Sequence, residues 1–405
     1  MDDFGIIKSL DHHSNISHFN YTLLSIVKEK ILNNSYEDDS SFTSVCEECD
    51  SWFIQNFTST YAKYYHGFVA ITICIFGTIS NILNVTVLNS KDMVTVPINR
   101  ILKSLAISDM LVMVEYIFFA WYYYIHLPKE MNFPYWGAVF ILIHTHFTQI
   151  VHTVSICLTV TLATWRYIII GCPGKNSLLC ADKRCTMAIN TCYVFSIILC
   201  SPSFFMLKIR ATTVVEDKEY TLYHTALSDL GVENITYLVV NFWLYAVFIK
   251  LIPCLLLTVI TIWLIKKLLK TKSRRHLLKN YNYRLARGFK ERTHKKTDKT
   301  TKMLIAVLML FLFTEFPQAI LGLMMGMKGK CFFLKCYQEL GEVLDILALS
   351  NGSINFILYC CMNRLFRKNF KKIFITSVLV KFPTISYAAS ENQSTTTAIT
   401  ITTEQ

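Results

Sequence analysis

Long apolar blocks alternate along the chain with polar or charged connections. Seven blocks can be drawn, and each is long enough to cross a lipid bilayer as a helix. They cover about 65–89, 97–125, 135–170, 186–207, 237–265, 303–327 and 338–361. The pattern therefore predicts an all-α membrane protein, in which residues 65–361 form a seven-transmembrane helix bundle.

A shorter pattern follows the seventh block, over residues 362–375. One helical face carries Leu365, Phe366, Asn369, Phe370, Ile373 and Phe374, and the other face carries cations. This is typical of an amphipathic eighth helix in the membrane interface. The alternative is a merely basic tail beside the membrane. Residues 376–405 are rich in Ser and Thr without apolar periodicity, so we expect a disordered tail.

Composition agrees with this class and excludes others. The chain is 53% hydrophobic and 17% charged, whereas soluble domains carry about 25% charged residues. The net charge of +12 is concentrated in 266–302, a loop with fifteen Lys and Arg and two acidic residues. Because one loop explains the excess, no nucleic-acid partner is predicted. The spans offer no nucleophile–base pair or metal set, so no enzyme is predicted.

Charge also predicts the orientation of the spans. Residues 1–60 hold ten acidic and three basic residues, whereas the loop after the fifth block and residues 364–372 are basic. The positive-inside rule places the arm 1–64 outside the cell, with the third loop 266–302 and the tail 376–405 in the cytosol. Glycosylation signals on the expected outer side are Asn15, Asn20, Asn33, Asn56 and Asn234.

Four of the fourteen cysteines are expected on the oxidising side. They are Cys46 and Cys49 in the arm and Cys331 and Cys336 before the seventh span. Three pairings are possible, and cross-links between arm and loop are favoured because a Cys46–Cys49 ring is too small to stabilise much. Zinc binding by the two arm cysteines is the less favoured alternative.

Ionisable residues inside spans are costly and indicate function or pairing. Only Lys250 and Glu315 carry opposite charges at similar depth, so we expect them to face each other. Their pair could be a structural or switching ion pair, or a direct ligand contact. The other ionisable groups in spans are Asp109, Glu115, Arg166, Glu339, Glu342 and Asp345.

The third span carries a polar stripe, because His144, Thr148 and His152 recur every four residues with Gln149 beside them. Such a stripe can line a pocket or form interhelical hydrogen bonds, and we favour the pocket. A metal site with His146 is disfavoured, since that residue points to a different face. With Tyr116 and Phe119 as possible walls, the acidic and aromatic cavity suits a ligand carrying a cation and an aromatic ring. The candidate ligand-binding residues are Glu115, Tyr116, Phe119, His144, Thr148, Gln149, His152, Lys250, Glu315, Gln318, Glu339, Glu342 and Asp345.

Six motifs occur in order at matching depths. They are Gly77-x-x-x-Asn81, Leu105-Ala-Ile-Ser-Asp109, Trp165-Arg166-Tyr167, Pro253, Phe313-Thr-Glu-Phe-Pro317 and Asn355-Phe-Ile-Leu-Tyr359. Over residues 65–375 the chain resembles a rhodopsin-like G-protein-coupled receptor. The resemblance implies a polar cluster of Asn81, Asp109 and Asn355 with a possible sodium ion near Asp109. It also implies roles in activation and G-protein coupling for Trp165, Arg166, Tyr167, Pro317 and Tyr359.

Departures from the general receptor pattern indicate which branch of the receptor family the chain resembles. Trp165 precedes the arginine, Glu315 stands where a tryptophan is usual, and Phe356 replaces a proline. The segments 109–116, 144–149, 250–254, 314–318 and 351–360 resemble insect myosuppressin and sex-peptide receptors, and even more the nematode receptors for FMRFamide-like peptides. That resemblance implies a plasma-membrane neuropeptide receptor for short C-terminally amidated peptides. It also implies an inhibitory G protein as partner, and the Ser/Thr-rich tail suits phosphorylation and arrestin binding.

The expected ligand ends in Arg-Phe-amide, because an Arg guanidinium pairs bidentately with a carboxylate. The candidate carboxylates are Glu115, Glu339, Glu342 and Asp345. For the last three, a solvated rim at the outer mouth is the alternative. A tryptophan-amide peptide is the second candidate ligand on the same fold. A small amine ligand, and a channel or transporter, are less favoured.

Overall fold

The structure is a computed structural model that describes residues 60–127, 134–171, 182–215, 219–281, 289–328, 340–362 and 364–375. Within these ranges seven long helices are present. They are α1 (Gly67–Leu88, after a π-helical turn at Ala62–His66), α2 (Pro97–Ala120, extended by the π-helical Trp121–His126), α3 (Tyr135–Gly171), α4 (Asp182–Phe204), α5 (Ile235–Trp243, π-helical Leu244–Leu251 and Ile252–Tyr281), α6 (Phe289–Lys328) and α7 (Gly341–Met362). The seven predicted blocks each coincide with one helix, so the predicted bundle is confirmed.

Five of these helices are long and apolar enough to cross a membrane by composition alone, within the described residues. They are Tyr64–Leu88, Tyr135–Ile169, Lys183–Phe204, Val239–Lys267 and Ile305–Met324. The two others, α2 and α7, carry the acidic residues Asp109, Glu115, Glu342 and Asp345. The large apolar side chains exposed on the bundle surface, such as Phe68, Val259 and Phe313, suit contact with lipid tails.

A β-hairpin between α4 and α5 adds strand structure to a fold that the sequence predicts as helical throughout. Strands β1 (Leu207–Val215) and β2 (Glu219–Leu227) pair antiparallel, with Leu207 opposite Leu227. The open end of the hairpin is anchored by a small apolar cluster of Met206, Leu207 and Leu227. Nine-residue strands are too short to register in a search for membrane-spanning blocks, so the sequence analysis did not predict them.

The last helix, α8 (Arg364–Phe370), continues as a π-helical turn at Lys371–Ile375. Its Phe366 is fully buried against the main core, and Asn369 Nδ2 donates to Ser90 Oγ at 3.2 Å. Arg367 donates to the Cys360 carbonyl at 2.8 Å. These contacts hold α8 against α7 and the end of α1. We call this the α8 end of the bundle and the opposite one the hairpin end.

Two hydrophobic clusters hold the helices together. The larger lies towards the α8 end and includes Leu158, Leu257 and Leu308. The smaller joins α1, α2 and α7 and includes Ala70 and Leu349. Between them the helices leave room for buried polar groups, and these form the candidate site.

The glycine of the first-span motif allows α1, α2 and α7 to approach closely. Asn81 Nδ2 donates to the carbonyls of Gly77 at 3.0 Å and of Gly352 at 3.1 Å. A methyl group at Gly77 would overlap Met113 Sδ and Ser353 Oγ, and one at Gly352 would lie 2.7 Å from Met113 Cε. Only glycine therefore fits at this crossing without displacing a neighbour.

Candidate functional site

A cavity of about 80 Å³ lies between the helices in the half of the bundle nearer the hairpin end. It has room for several water molecules. All four residues of the predicted polar stripe line it, together with residues from α2, α5, α6 and α7. The lining is Asp109, Val112, Met113, His144, Thr145, Thr148, Gln149, His152, Ser155, Tyr245, Lys250, Gln318, Asp345, Ala348, Leu349 and Gly352.

On the α2 side of the cavity, Glu115, His144 and Thr148 form one hydrogen-bonded group, the Glu115 network. His144 Nδ1 lies 2.6 and 2.7 Å from the two Glu115 oxygens. Since a carboxylate only accepts, the imidazole Nδ1–H donates. Thr148 Oγ1 donates to Glu115 Oε2 at 3.0 Å. The Phe119 ring stacks on the imidazole at 3.6 Å, so His144 is fixed in position and orientation.

Deeper in the bundle, Lys250, Glu315, His152 and Gln318 form the Lys250 network. Lys250 Nζ lies 2.9 Å from Glu315 Oε2, 3.0 Å from His152 Nε2 and 2.7 Å from Gln318 Oε1. The two charged side chains are 4% and 1% exposed. They face each other as the sequence predicts, and His152 and Gln318 complete the surroundings of the ammonium group.

A π-helical segment of α5, Leu244–Leu251, holds Lys250. Such wider turns are frequently found at functional sites. Tyr245, in the same segment, also lines the cavity. Sequence reasoning did not identify Tyr245, since an aromatic residue in a span is most often core or lipid-facing. The hydrophobic period alone carries no signal for the π segment.

The α7 carboxylates are inside the protein. Glu342 and Asp345 are 4% and 5% exposed, so the solvated-rim alternative is wrong for these two. Asp345 lines the cavity, and its Oδ2 has no hydrogen-bond partner within the described part of the chain. Glu342 does not line the cavity. Glu339 lies outside the described residues.

Tyr116 and Phe119 do not line the cavity, contrary to their predicted place as walls. Both are buried behind His144, which they contact with their rings. The Tyr116 hydroxyl lies 3.0 Å from His66 Nε2. His66 is fully buried at the start of α1. Sequence analysis did not single it out, because it lies at the very start of the first apolar block, where a polar residue is expected near the membrane surface.

Asp109 lies at the floor of the cavity, within a polar cluster that differs from the predicted one. Its Oδ1 accepts from Ser155 Oγ at 2.8 Å and its Oδ2 from Asn355 Nδ2 at 3.2 Å. Asn81 has no hydrogen bond to Asp109 and binds the backbone carbonyl of Gly352 instead. Ser155 therefore takes the place that the resemblance gave to Asn81. Ser155 lies one turn after His152 of the polar stripe, and this spacing was the signal in the sequence that could have identified it.

The predicted coupling residues lie towards the α8 end. Trp165 and Tyr359 are buried, and Tyr167 packs its ring 4.3 Å from that of Trp263. Arg166 Nε is buried without a hydrogen-bond partner in the described ranges. Pro317 lies within the continuous helix α6, one residue before Gln318, so the Lys250 network lies beside this proline.

Several predicted sites fall outside the described residues. These are the cysteines Cys46, Cys49, Cys331 and Cys336 and the glycosylation signals Asn15, Asn20, Asn33 and Asn56. Asn234 is exposed, and its Oδ1 caps a helix by accepting from the Tyr237 amide. Among the described residues, no group of three or more His, Cys, Asp or Glu could hold a metal ion.

Comparison with known proteins gives a consistent result. The model of the family "Serpentine type 7TM GPCR chemoreceptor Srw" matches residues 68–377. The G-protein coupled receptor dmsr-1 of Caenorhabditis elegans is 27% identical over 365 residues, which cover 80% of this chain and 71% of that protein. The sex peptide receptor of Drosophila melanogaster is 28% identical, over 79% of this chain and 75% of its own length. The FMRFamide receptor of the same species is 22% identical, over 84% of this chain and 59% of its own length.

Proposed function

The chain belongs to the Srw family of serpentine seven-transmembrane G-protein-coupled receptors, and on this premise we propose that it is a receptor for short C-terminally amidated peptides ending in Arg-Phe-amide. Relatives named as an FMRFamide receptor and a sex peptide receptor support a peptide ligand. The cavity supports the chemistry, because it combines apolar walls with a few fixed polar groups.

The observation that carries the proposal is the carboxylate of Asp345. It is buried and lines the cavity, and its Oδ2 has no hydrogen-bond partner in the described residues. A guanidinium donates two parallel hydrogen bonds to a carboxylate, so the Arg of the ligand would satisfy this group. Glu115 is less suited, since His144 and Thr148 already bind its oxygens.

A tryptophan-amide peptide is the second candidate, supported by similarity to the sex peptide receptor. The cavity walls include Met113, Tyr245 and Leu349, which offer apolar contact to either aromatic ring. Such a peptide needs no carboxylate partner for its last residue. Its potency would therefore not depend on Asp345, and this separates the two candidates.

Signalling would follow the family's architecture, with the amino terminus outside the plasma membrane and the α8 end in the cytosol. Arg166, Tyr167 and Tyr359 lie towards that end and are the proposed contacts or switches for a G protein of the inhibitory class. The basic segment 266–302, predicted as a loop, is helical at 266–281 and 289–302. It would face the same compartment, where anionic lipid and acidic partners occur. The tail would bind arrestin once phosphorylated.

The polar cluster fits a sodium ion as a regulatory cofactor. Asp109 and Ser155 supply oxygen atoms, and Asn355 Oδ1 is buried without a hydrogen-bond partner in the described residues. Oxygen ligands of this kind suit hard cations. The bound ion would neutralise Asp109 in the apolar surroundings of the bundle.

The proposal is tested by dose-response measurements of G-protein activation in cells expressing the chain. One Arg-Phe-amide peptide, one tryptophan-amide peptide and the free acid of each would be compared, with surface expression confirmed by antibody. A potent response to an amide and loss on its free acid would support the proposal. Silence to all four peptides on a receptor at the cell surface would refute it.

The Asp345→Asn variant tests the Arg contact. We expect potency for the Arg-Phe-amide peptide to fall about 10-fold to 100-fold, since a charge-assisted bidentate pair is lost. The matched control is Asp229→Asn, which removes an exposed carboxylate at the hairpin. Equal potency in both variants would exclude Asp345 as the partner of the ligand.

A further inference from the structure

We propose that the Lys250 network is the subsite that binds the carboxamide at the peptide C-terminus, and that the charge of Glu315 weakens binding of the free acid there. The inference rests on the proposed function. It adds to that function a residue that determines specificity, together with the physical reason for it.

Lys250 is surrounded by hydrogen-bond partners of the protein. An ammonium group has three N–H donors and no acceptor. Nζ donates to Glu315 Oε2 and Gln318 Oε1, and His152 Nε2 lies 3.0 Å away. With the imidazole proton on Nδ1, His152 Nε2 is the third acceptor, and all three protons of Lys250 have partners in the protein. A ligand carboxylate could bind Lys250 only by displacing one of these acceptors.

The charges at this place disfavour a second carboxylate. Lys250 and Glu315 are both almost completely buried, and together they are neutral. A peptide carboxylate brought to this place would be an extra negative charge in apolar surroundings, where it already meets Glu315. Burying an uncompensated charge is costly. A carboxamide carries no charge, so the same position accepts it without this cost.

Gln149 provides an acceptor beside the Lys250 network. Gln149 Oε1 is buried and has no hydrogen-bond partner within the described residues. Its Nε2 donates to Ser203 Oγ at 3.1 Å, and Ser203 lies 3.4 Å from Asn241 Oδ1. The amide is therefore held in one orientation. Gln149 lies one turn before His152 on α3, and both line the cavity.

A carboxamide NH₂ group donates two hydrogen bonds, whereas a carboxylate donates none. Gln149 Oε1 is one acceptor for it. Glu315 Oε1 lies behind the cavity wall, 3.3 Å from His152 Nε2, and has no hydrogen bond within the described chain, so it would be a second acceptor only for an NH₂ group that reaches between Lys250 and His152. A free acid would leave these acceptors unsatisfied and add repulsion. Hydrogen bonding and charge therefore favour the same ligand, the amide.

The test is competition binding of one Arg-Phe-amide peptide and its free acid to purified receptor, using a labelled amide peptide as tracer. In Glu315→Gln, Lys250 has no charged partner and attracts a carboxylate. We expect the amide-to-acid affinity ratio to fall at least tenfold, with the acid gaining affinity. The double variant Lys250→Gln/Glu315→Gln has no charge at this place and should restore preference for the amide. Asp229→Asn is the control with an unchanged ratio.

A Gln149→Met variant provides an independent measurement if Glu315→Gln fails to reach the membrane. Removing the acceptor should weaken the amide about tenfold and leave the acid unchanged. An equal loss for both peptides in either variant would overturn the subsite while leaving the proposed receptor function intact. Failure of the unmodified receptor to bind any amide would instead remove the proposed function, and the subsite with it.

Discussion

Two lysine–carboxylate pairs in this protein have similar geometry and opposite surroundings. Lys250 Nζ lies 2.9 Å from Glu315 Oε2 inside the bundle, with the two side chains 4% and 1% exposed. Lys208 Nζ lies 2.5 Å from Asp229 Oδ1 at the hairpin, with the side chains 36% and 69% exposed. Distance alone would rank the hairpin pair as the stronger one.

The surroundings reverse that ranking. At the hairpin, water solvates each charge whether or not the pair forms, so exposed pairs contribute little. Inside the bundle, the two side chains are 4% and 1% exposed, so water can replace a lost partner only to a small extent. Removing one leaves the other buried and unpaired, which is strongly destabilising. The free energy lost when an ion pair is broken therefore depends on whether the remaining charge is solvated or buried.

The largest expected effect is that of breaking the buried pair. Lys250→Met should lower the free energy of unfolding by about 3–5 kcal/mol, because Glu315 is left without its ammonium partner. Thermal unfolding of detergent-solubilised receptor, followed by loss of the monodisperse peak, measures this. The charge-swapped double variant Lys250→Glu/Glu315→Lys should recover surface expression. If the swap is as poor as the single variant, pairing is not what Lys250 contributes.

The Glu115 network should give an intermediate effect. Glu115 is 18% exposed and accepts from both His144 and Thr148. Replacing Glu115 with Ala leaves those donors buried without acceptors, which costs about 1–3 kcal/mol. The same thermal unfolding assay applies, with Thr148→Val as a milder comparison. An effect as large as that of Lys250→Met would contradict the ranking by burial.

The exposed pair should give the smallest effect on stability. In Asp229→Asn the melting temperature should be indistinguishable from that of the unmodified protein, since water solvates Lys208 once its partner is gone. Raising the salt concentration to 1 M screens the Lys208–Asp229 pair, and this screening should likewise leave the melting temperature of the unmodified receptor unchanged. A clear drop in melting temperature would show that the hairpin pair is more important than its exposure indicates.

The pH dependence of hairpin stability gives a further test of the exposed Lys208–Asp229 pair. The hydrogen bond from Lys208 lowers the pKa of the Asp229 carboxyl below its usual range, and the charges of Lys208 and Arg210 add to this. A lowered pKa means that the contribution is fully present above the unfolded value of about 4 and is lost as the pH falls through the folded value. Protection factors for amide hydrogen exchange in β1 and β2, which are corrected for the intrinsic pH dependence of exchange, should therefore fall below about pH 4. The Asp229→Asn variant should lack this step, and a step of equal size in both proteins would assign it to another group.

The helices and the pairing of Lys250 with Glu315 were predictable from the sequence. Block length fixed the number of spans, and two opposite charges at matching depth in otherwise apolar helices have few alternatives to meeting each other. The repeat of His144, Thr148 and His152 predicted a common polar face in the same way. These are local or one-dimensional signals, and burial in an apolar medium makes them strong.

Other features depended on contacts that no local pattern encodes. The hairpin strands are short, and their first and last residues, Leu207 and Leu227, pack with Met206 against Leu142 of α3. The partner of Asp109 is Ser155 on α3, a choice made by the crossing of two helices. The sequence does not distinguish a solvated rim from a buried site for Glu342 and Asp345, because their depth depends on how α7 packs against its neighbours.

The sequence by itself determined the bundle, the charges that must be buried in it and the family of receptors to which it belongs. Hydropathy and motif spacing suffice for this, since the cost of exposing polar backbone to lipid leaves helices as the only spanning solution for such blocks. The tertiary structure alone decided which buried groups are satisfied. In the structure, the Lys250 ammonium group has acceptors around it and the Glu115 oxygens already accept hydrogen bonds. Asp345 Oδ2 and Gln149 Oε1, by contrast, have no hydrogen-bond partners in the described residues. Hydrogen bonds act over about 3 Å, so only the packing of helices distant in sequence could make that distinction.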